Sequence, residues 1–422
     1  MKNEVKKKKV IVVGGGFAGV SFIHKLDRNL FEVLLIDKIN HHQFQPLFYQ
    51  VATSQIEPSS ISFPLRNIFN NYPNVRIRLA EVKRIVAGEN RVETTIGDFE
   101  YDYLVLAYGC MTNFFGNQTI PKHALTLKST YDAITIRNHI LRTFEKIVYV
   151  DEEKQKPLNN LVIVGAGPTG VELAGAFAEI KKNILPKDYH RLDFSKFTIW
   201  LIEGSENTLN NLSTLAQTSS KRYLENMGVK VITKTFVKDY DGETLVLSNG
   251  DNIIAKTVIW TAGVTGNRME GLPAEVLAPG NRIRVDRLNR MQGSGNVFAL
   301  GDIAMMETPK YPKGHPQVAN VAITQAKRLA RNLKNIELYK QTTDYEYIDL
   351  GSMATIGRNK AVVDLPFFSF KGYFAWLIWM FLHLMKILSV KNRFIIFINW
   401  AWAYITKDTS LRLILTPEKT EG

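Results

Sequence analysis

Two glycine-rich turns, each set between an apolar strand and a helix, constrain this chain more than any other feature. The first lies in residues 9–37. Val10-Ile11-Val12-Val13 is a short β-branched run of the kind that fills a buried parallel strand. Gly14-Gly15-Gly16-Phe17-Ala18-Gly19 follows and fits G-x-G-x-x-G. A helical apolar pattern then passes through Val20, Phe22, Ile23 and Leu26, and residues 33–36 make a second strand closed by Asp37. A strand, a glycine turn, a helix, a strand and a terminal acid form one dinucleotide-binding βαβ unit. The glycines allow a tight turn and a close backbone approach to a pyrophosphate, and the helix N-terminus stabilises its charge. Asp37 is placed to accept ribose hydroxyls.

The pattern recurs. Leu161-Val162-Ile163-Val164 is a strand, and Gly165-Ala166-Gly167-Pro168-Thr169-Gly170 is again G-x-G-x-x-G. A helix is predicted over 171–180, with Gly175 a close-packing point, and a strand over 197–202 ends in Glu203. That acid lies 33 residues past Gly170, and a polar insert at 181–196 carrying Pro186 accounts for the excess. Two complete motifs predict two bound dinucleotides. A carboxylate at Glu203 hydrogen-bonds a ribose 2′-OH and repels a 2′-phosphate, and no arginine immediately follows it, which favours NADH over NADPH.

A length of 422 residues allows two or three domains. The single cysteine, Cys110, excludes an intrachain disulfide, a Cys₄ metal site, an iron–sulfur cluster and a dithiol redox pair. The compartment is thus reducing or disulfide-independent. The net charge of +13 asks for an anionic partner. No zinc finger, RNA-recognition signature or reading helix accompanies it, so nucleic acid is not the expected partner. An anionic lipid surface fits better. The lysines at 6–9 read first as a solvated tail. The four apolar residues after them are too few for a signal peptide, so the protein is expected to stay where it is made.

Between the motifs, residues 38–64 are rich in aromatics and Gln, with prolines at 46, 58 and 64, and read as a packed segment over the first cofactor with little regular structure. His41 and His42 have no third ligand at metal spacing, and no metal is expected. Short strands are predicted at 75–79, 91–95 and 103–107, with Gly97-Asp98 as a hairpin turn. Ala107-Tyr108-Gly109 ends a buried strand, residues 130–150 read as a helix, and 151–160 as a surface connection. Later, Thr261-Ala262-Gly263 ends a strand in small residues, as a nearby stacked ring requires. Val297-Phe298-Ala299-Leu300-Gly301-Asp302 delivers a glycine and then an acid. Asp302 reads either as a ligand for a ribityl chain or as a helix cap. A helix follows over 318–333, and two strands are predicted after Tyr345.

Residues 367–406 change character. Residues 373–382, YFAWLIWMFL, and the runs 394–398 and 400–405 are apolar, but none reaches the roughly 20 residues of a spanning helix. Lys386, Lys391 and Arg393 separate them, and residues 371–412 hold six Lys/Arg against the single acid Asp408. Trp and Tyr are dense, as at a headgroup interface. Asn392, Asn399 and Thr406 form a polar seam every seven residues on an apolar helix. In-plane or shallow insertion with cationic anchoring fits this pattern, and a buried dimer or core helix pair is the alternative.

Together these residues resemble the two-dinucleotide-binding-domain flavoproteins and, within them, the type II NADH:quinone oxidoreductases, single-subunit respiratory dehydrogenases that do not pump protons. The resemblance spans nearly the whole chain through HQFQPLFYQVAT at 42–53, GAGPTGVELAG at 165–175, WTAGV at 260–264 and FALGD at 298–302. It implies an α/β fold of two Rossmann-like domains, the FAD domain discontinuous and the NADH domain inserted, plus a C-terminal amphipathic membrane-associating region. The expected divisions are 1–115 and 280–345 for FAD, 116–279 for NADH and 346–422 for the membrane.

By the same resemblance, Gly14, Gly15, Gly16, Gly19, Asp37, Lys38, Val82, Ala107, Gly109, Gly301, Asp302 and Ala319 hold noncovalent FAD. Gly165, Gly167, Pro168, Thr169, Gly170, Glu203, Ala262 and Gly263 hold NADH, and Glu172 aids hydride or proton transfer near flavin and quinone. Two departures stand out. The quinone motif A-Q-x-A-x-Q falls on residues 319–324 with Asn320 and Thr324 in place of its glutamines, and Gln325 lies one position late, about 100° round the helix. Tyr108 stands where a small hydroxyl is usual.

The implied protein is a peripheral membrane enzyme on the cytoplasmic face of a bacterial inner membrane. A homodimer, a membrane quinone and anionic lipid are its partners. A lone cysteine argues against sulfide:quinone oxidoreductases and disulfide reductases, and a soluble-acceptor reductase leaves 367–406 without a use. A membrane-associated FAD- and NADH-binding protein with lost or altered quinone turnover is the non-enzymatic alternative.

Overall fold

The β-branched run at 10–13 lies in the central strand, Lys8–Val13, of a five-stranded parallel sheet. Its computed structural model describes residues 6–409 and 411–414. Two units form. One runs to Gln43 and resumes over Phe63–Met111 and Val264–Ile348; the other takes Phe44–Ser62, Thr112–Gly263 and the chain from Asp349.

In the first unit the strand order is Val297–Ala299, Tyr103–Leu106, Lys8–Val13, Phe31–Asp37, Val75–Leu79. Val12 pairs with Leu35 on one side and Val105 on the other. Side chains alternate between faces along a strand. Val10 and Val12 therefore meet Phe22 and Ile23 of helix Phe17–Lys25 and Ala326 and Leu329 of helix Ala319–Glu337. Ile11 and Val13 join Val82, Ile85 and Ile303 on the opposite face. Burial on both faces explains the unbroken apolar run. The small sheet beside it corrects one expectation: Gly97 is not in the turn. It pairs with Thr94 and opens strand Gly97–Glu100, so Thr95-Ile96 is the two-residue turn.

The second unit repeats the plan with Leu125–Thr126, Thr257–Trp260, Asn160–Val164, Thr198–Ile202 and Val229–Ile232, in that order and all parallel. The helix predicted over 130–150 is Thr130–Ile147, started by Ser129, whose side chain accepts from the Asp132 N–H at 3.0 Å. The surface connection after it contains a short helix, Glu152–Leu158, despite Pro157. Gln155 holds it against the preceding helix end, donating to the carbonyls of Ile147 and Val150 at 3.1 and 3.0 Å. The helix after the second glycine turn, Pro168–Asn183, runs three residues beyond its predicted end.

Residues 44–62 fold with this second unit through the 3₁₀ turn Gln45–Leu47, the helix Phe48–Ala52 and the 3₁₀ turn Pro58–Ser60, with Phe48, Tyr49, Gln50, Val51 and Ala52 all buried. The C-terminal part adds three antiparallel strands, Ser352–Gly357, Lys360–Asp364 and Ser369–Lys371, one more than expected. Helices Tyr373–Met385 and Val390–Thr406 follow. Among the described residues no helix is long and apolar enough to cross a membrane.

Those two helices bury Ala375, Trp379, Ile396 and Trp400 and yet keep further apolar side chains exposed. The Asn392 side chain donates to the carbonyls of Ser59 and Ser60 at 3.0 Å, and the Trp400 indole donates to Gln50 at 2.8 Å. The Arg358 guanidinium donates to the carbonyls of Ala403 and Tyr404 near the helix end. Asn392, Ile396 and Trp400 thus face protein. Phe374, Phe394, Trp402 and Ile405 are left 60–77% exposed.

Gly175 is the contact that seats the C-terminal strands. A Cβ there would overlap the Ile356 backbone, whose carbonyl carbon would be 2.7 Å away. Gly175→Ala gains about 1 kcal/mol of helix propensity, but a strand backbone cannot move aside and overpacking costs about 1–3 kcal/mol. We expect a lowered melting temperature for Gly175→Ala and none for Gly295→Ala, where a Cβ meets open space. Equal melting temperatures for both would remove this contact from the packing argument.

Candidate functional site

Each glycine turn is shaped by where a Cβ cannot go. Gly14 has φ +106, and a Cβ on it would sit 2.5 Å from the Ala107 carbonyl oxygen, at the end of the neighbouring strand. Gly19 has no room for a Cβ against the Gly14 carbonyl. Gly16, by contrast, faces nothing within 4 Å. It is the N-cap of helix Phe17–Lys25, and no side chain among the described residues caps that helix start. The turn thus brings a helix start without a side-chain cap and open space to one point, which is what a pyrophosphate needs.

Asp37 closes this cradle. Its carboxylate accepts from Gly15 N–H at 2.5 Å and Ile39 N–H at 2.9 Å. Burial pushes its pKa above the ordinary carboxylate value against those two donors. His42, set aside above as a metal ligand, supports the turn from behind. Its Nδ1 lies 3.0 Å from the Gly15 carbonyl and must donate to it, and burial keeps the ring neutral by lowering its pKa. Lys38 is exposed and pairs with Glu81 at 2.5 Å, and Val82 is buried at the start of strand Val82–Val86.

Asp302 lies in the 3₁₀ turn Gly301–Ile303, not at a helix cap. Gly301 has φ +70, and a Cβ on it would meet Ala322 at 3.0 Å and Ala18 at 3.5 Å, the first turns of two helices. Asp302 therefore stands near the starts of Phe17–Lys25 and Ala319–Glu337, and Ala319 is the first residue of the second. Gln325, one place late for the quinone motif, points inward and accepts the Gly301 N–H at 2.8 Å. Thr324 bonds within its own helix to the Asn320 carbonyl at 2.6 Å and to the Tyr345 hydroxyl at 2.7 Å. The Tyr108 phenol packs toward the core cluster of Ile11 and Val13, and burial raises its pKa. Gly109, with φ +68, has open space beside it.

The second cradle copies the first. Gly165 has φ +99 and would meet Ala262 Cα at 2.8 Å; Gly170 has no room against the Gly165 carbonyl; Gly167 faces nothing within 4 Å. Pro168 and Thr169 begin helix Pro168–Asn183, Pro at a position where its missing N–H costs nothing. Glu203 accepts from Ala166 N–H at 2.6 Å and Ser205 N–H at 2.7 Å. Ala262 and Gly263 end the neighbouring strand's run, and the Trp260 indole donates to the Ala262 carbonyl at 2.9 Å.

Glu172, one turn into the same helix, is 8% exposed, and its Oε1 accepts from Thr355 N–H at 3.3 Å. Burial pushes its pKa up to about 8, against smaller opposing effects of the Thr355 N–H and the Trp379 indole. It lines a pocket with Tyr49, Gln50, Trp376, Trp379 and Trp400. The Tyr49 hydroxyl accepts from the Gln50 amide at 2.9 Å, and burial, then the Glu172 charge, hold its pKa well above the usual phenol value. Sequence reasoning picked out Glu172 and missed Tyr49, Gln50 and the tryptophans. The aromatic density of 42–53 and 373–404 was the available signal, but nothing local joins those two stretches.

Two glycine cradles with terminal acids, one in each unit, define a dehydrogenase with two dinucleotide-binding domains, and in each the second glycine of the motif has open space beside it. Residues 8–326 match the pyridine nucleotide-disulphide oxidoreductase model, and residues 350–407 match the NDH2 C-terminal domain. The type II NADH:quinone oxidoreductase Ndh of Mycobacterium tuberculosis is 32% identical over 95% of this chain and 89% of its own length. The chain belongs to the type II NADH:quinone oxidoreductases, whose cofactors are FAD and NADH. The solved structure of NDH2 from Plasmodium falciparum in complex with NADH shares the fold at TM-score 0.90 and 22% identity, covering 97% of this chain and 100% of that one. The sulfide:quinone oxidoreductase of Aquifex aeolicus shares it more distantly, at TM-score 0.73 and 19% identity over 92% of each chain.

The raised Glu172 pKa has a stability consequence. The folded group holds its proton more tightly than the unfolded one, so its contribution is complete below about pH 4.5 and is lost as pH rises through about 8. The loss is on the order of 5 kcal/mol. We expect Glu172→Gln to melt progressively higher than the parent between pH 5 and 8.5, because glutamine does not titrate. A melting difference that stays flat across that range would mean Glu172 is not held protonated.

Proposed function

We propose that unit one binds FAD through Gly14, Gly15, Gly16, Gly19, Asp37, Lys38, Val82, Ala107, Gly109, Gly301, Asp302 and Ala319. Unit two binds NADH through Gly165, Gly167, Pro168, Thr169, Gly170, Glu203, Ala262 and Gly263. The chemistry that FAD supplies when bound is the two-electron relay from NADH to quinone, noncovalently held and without proton pumping. The protein's own part is positional and electrostatic. Uncapped helix starts at Gly16 and Gly167 hold pyrophosphate, and Asp37 and Glu203 orient ribose hydroxyls.

The observation that carries the acceptor half is Glu172, buried in an aromatic pocket with a pKa of about 8. Near neutral pH its carboxyl is mostly protonated and can give that proton to the oxygen of a quinone taking up electrons. Asn320 keeps an amide for a quinone carbonyl, while the Thr324 hydroxyl is already engaged.

The quinone comes from lipid. Helices Tyr373–Met385 and Val390–Thr406 turn their apolar sides outward, and the six Lys/Arg of residues 371–412 suit an anionic headgroup layer. The cytoplasmic leaflet of a bacterial inner membrane, where NADH is supplied, is the surface we propose. The exposed apolar side chains on both helices also leave room for a second copy, so a homodimer belongs to the same proposal.

The test uses purified protein and anionic vesicles. Deleting the helices would remove the buried Trp379 and Trp400, so exposed residues are changed instead. Phe394→Ser with Phe397→Ser should weaken vesicle binding on the order of 100-fold, from about 1.5 kcal/mol per buried aromatic side chain. High salt alone should release the parent only in part. In solution, NADH should bleach the flavin and menaquinone or ubiquinone analogues should restore it. Bleaching with neither quinone restoring colour would make the chain an FAD- and NADH-binding protein without quinone turnover.

A further inference from the structure

One exposed aromatic ring in the second unit has no core to fill. Phe236 is 66% exposed, yet its ring lies flat enough on Gly204 that a Cβ there would be 2.6 Å from Phe236 Cδ1. Gly204 does not have a positive φ, so its backbone would accept a side chain. A side chain there would have to displace the ring. A lone exposed phenylalanine is ordinary on a protein surface. A ring seated on the residue immediately after Glu203 is a more specific arrangement.

Its placement is fixed by the backbone on both sides. Segment 233–236 leaves strand Val229–Ile232 and is joined to the segment after strand Thr198–Ile202 by two hydrogen bonds: Thr235 N–H to the Glu203 carbonyl at 3.0 Å and Lys234 N–H to the Ser205 carbonyl at 2.8 Å. Phe236 itself is pinned to Ser248, its N–H donating to Oγ at 2.9 Å and its carbonyl accepting from Ser248 N–H at 2.8 Å. Lys234, the nearest cation on this segment, is held by Glu206 at 2.5 Å. What the segment presents beside Glu203 is therefore an apolar aromatic face.

We infer that the Phe236 ring is the platform on which the adenine of NADH stacks. The inference rests on Glu203 taking the adenosine ribose. A base is one glycosidic bond from its ribose, so a ribose held at Glu203 brings the base over Gly204 and its ring. An adenine gains from a flat aromatic face without needing a hydrogen-bond partner. Phe236 thereby sets affinity for the adenosine half of the cofactor and has no part in the chemistry at the nicotinamide.

The holoenzyme tests this with three variants, Phe236→Ala, Phe236→Leu and Phe236→Trp. Titration calorimetry with ADP-ribose should show about 5- to 10-fold weaker binding for Ala and Leu and parental binding for Trp. Leucine keeps an apolar cover on Gly204 but has no π face, which separates stacking from packing. KM for NADH should rise in parallel with kcat unchanged, while kcat/KM for reduced nicotinamide mononucleotide, which lacks the adenosine, should stay within about twofold. Unchanged ADP-ribose binding in Phe236→Ala, with a loss in Glu203→Ala, would overturn the platform and leave the ribose reading standing. Unchanged binding in both variants would overturn both. Equal losses with the mononucleotide would show a general disturbance and overturn the platform.

Discussion

The close approach of two backbones at the first glycine of each cradle is the constraint on which the rest depends. Gly14 lies against Ala107 and Gly165 against Ala262, with left-handed backbones and no space for a Cβ. That approach lets each helix start beside the end of its own strand. It also leaves the second glycine of each motif, Gly16 and Gly167, facing open space with uncapped N–H groups behind it. Asp37 and Glu203 then complete the cradles in the same way, by accepting a backbone N–H from within the glycine turn. A side chain at either first glycine would push the turn off its neighbour.

The acceptor side depends on a different economy of polar groups. Asn392 and Trp400 spend their hydrogen bonds on residues 50–60, and Arg358 covers carbonyls near the end of the last helix. With Asn392 and Trp400 bonded to protein, side chains such as Phe394 and Ile405 are left to face outward. The same packing buries Glu172 among Tyr49, Trp379 and the Thr355 backbone, and burial raises its pKa. The exposed apolar side chains and the raised proton affinity of Glu172 thus follow from one packing arrangement of strands and aromatic helices.

Much of the fold was legible because its signals are local. Apolar runs of four to five residues marked the parallel strands, and glycine spacing marked the turns. The errors fell where local signals conflict. Gly97-Asp98 looked like a hairpin turn, but cross-strand pairing put Gly97 in the strand. Residues 151–160, a polar surface connection, carry the short helix Glu152–Leu158, which Gln155 anchors. The seven-residue polar seam was visible, but its inward direction was not, because Ser59 and Ser60 are more than 300 residues from Asn392.

The sequence by itself determined two glycine turns, each followed by a strand that ends in an acid, and an amphipathic, basic C-terminal region. Each is encoded by neighbours along the chain, through periodicity, turn geometry or charge. Only the tertiary structure decided that residues 44–62 pack with the second unit, that Gln325 braces the Gly301 turn, that Glu172 titrates near 8, and that Phe236 lies beside Glu203. Those outcomes require residues far apart in the chain to meet. A pKa or an exposed ring face acquires meaning only from what surrounds it, and burial is a property of the packed chain, not of the residue.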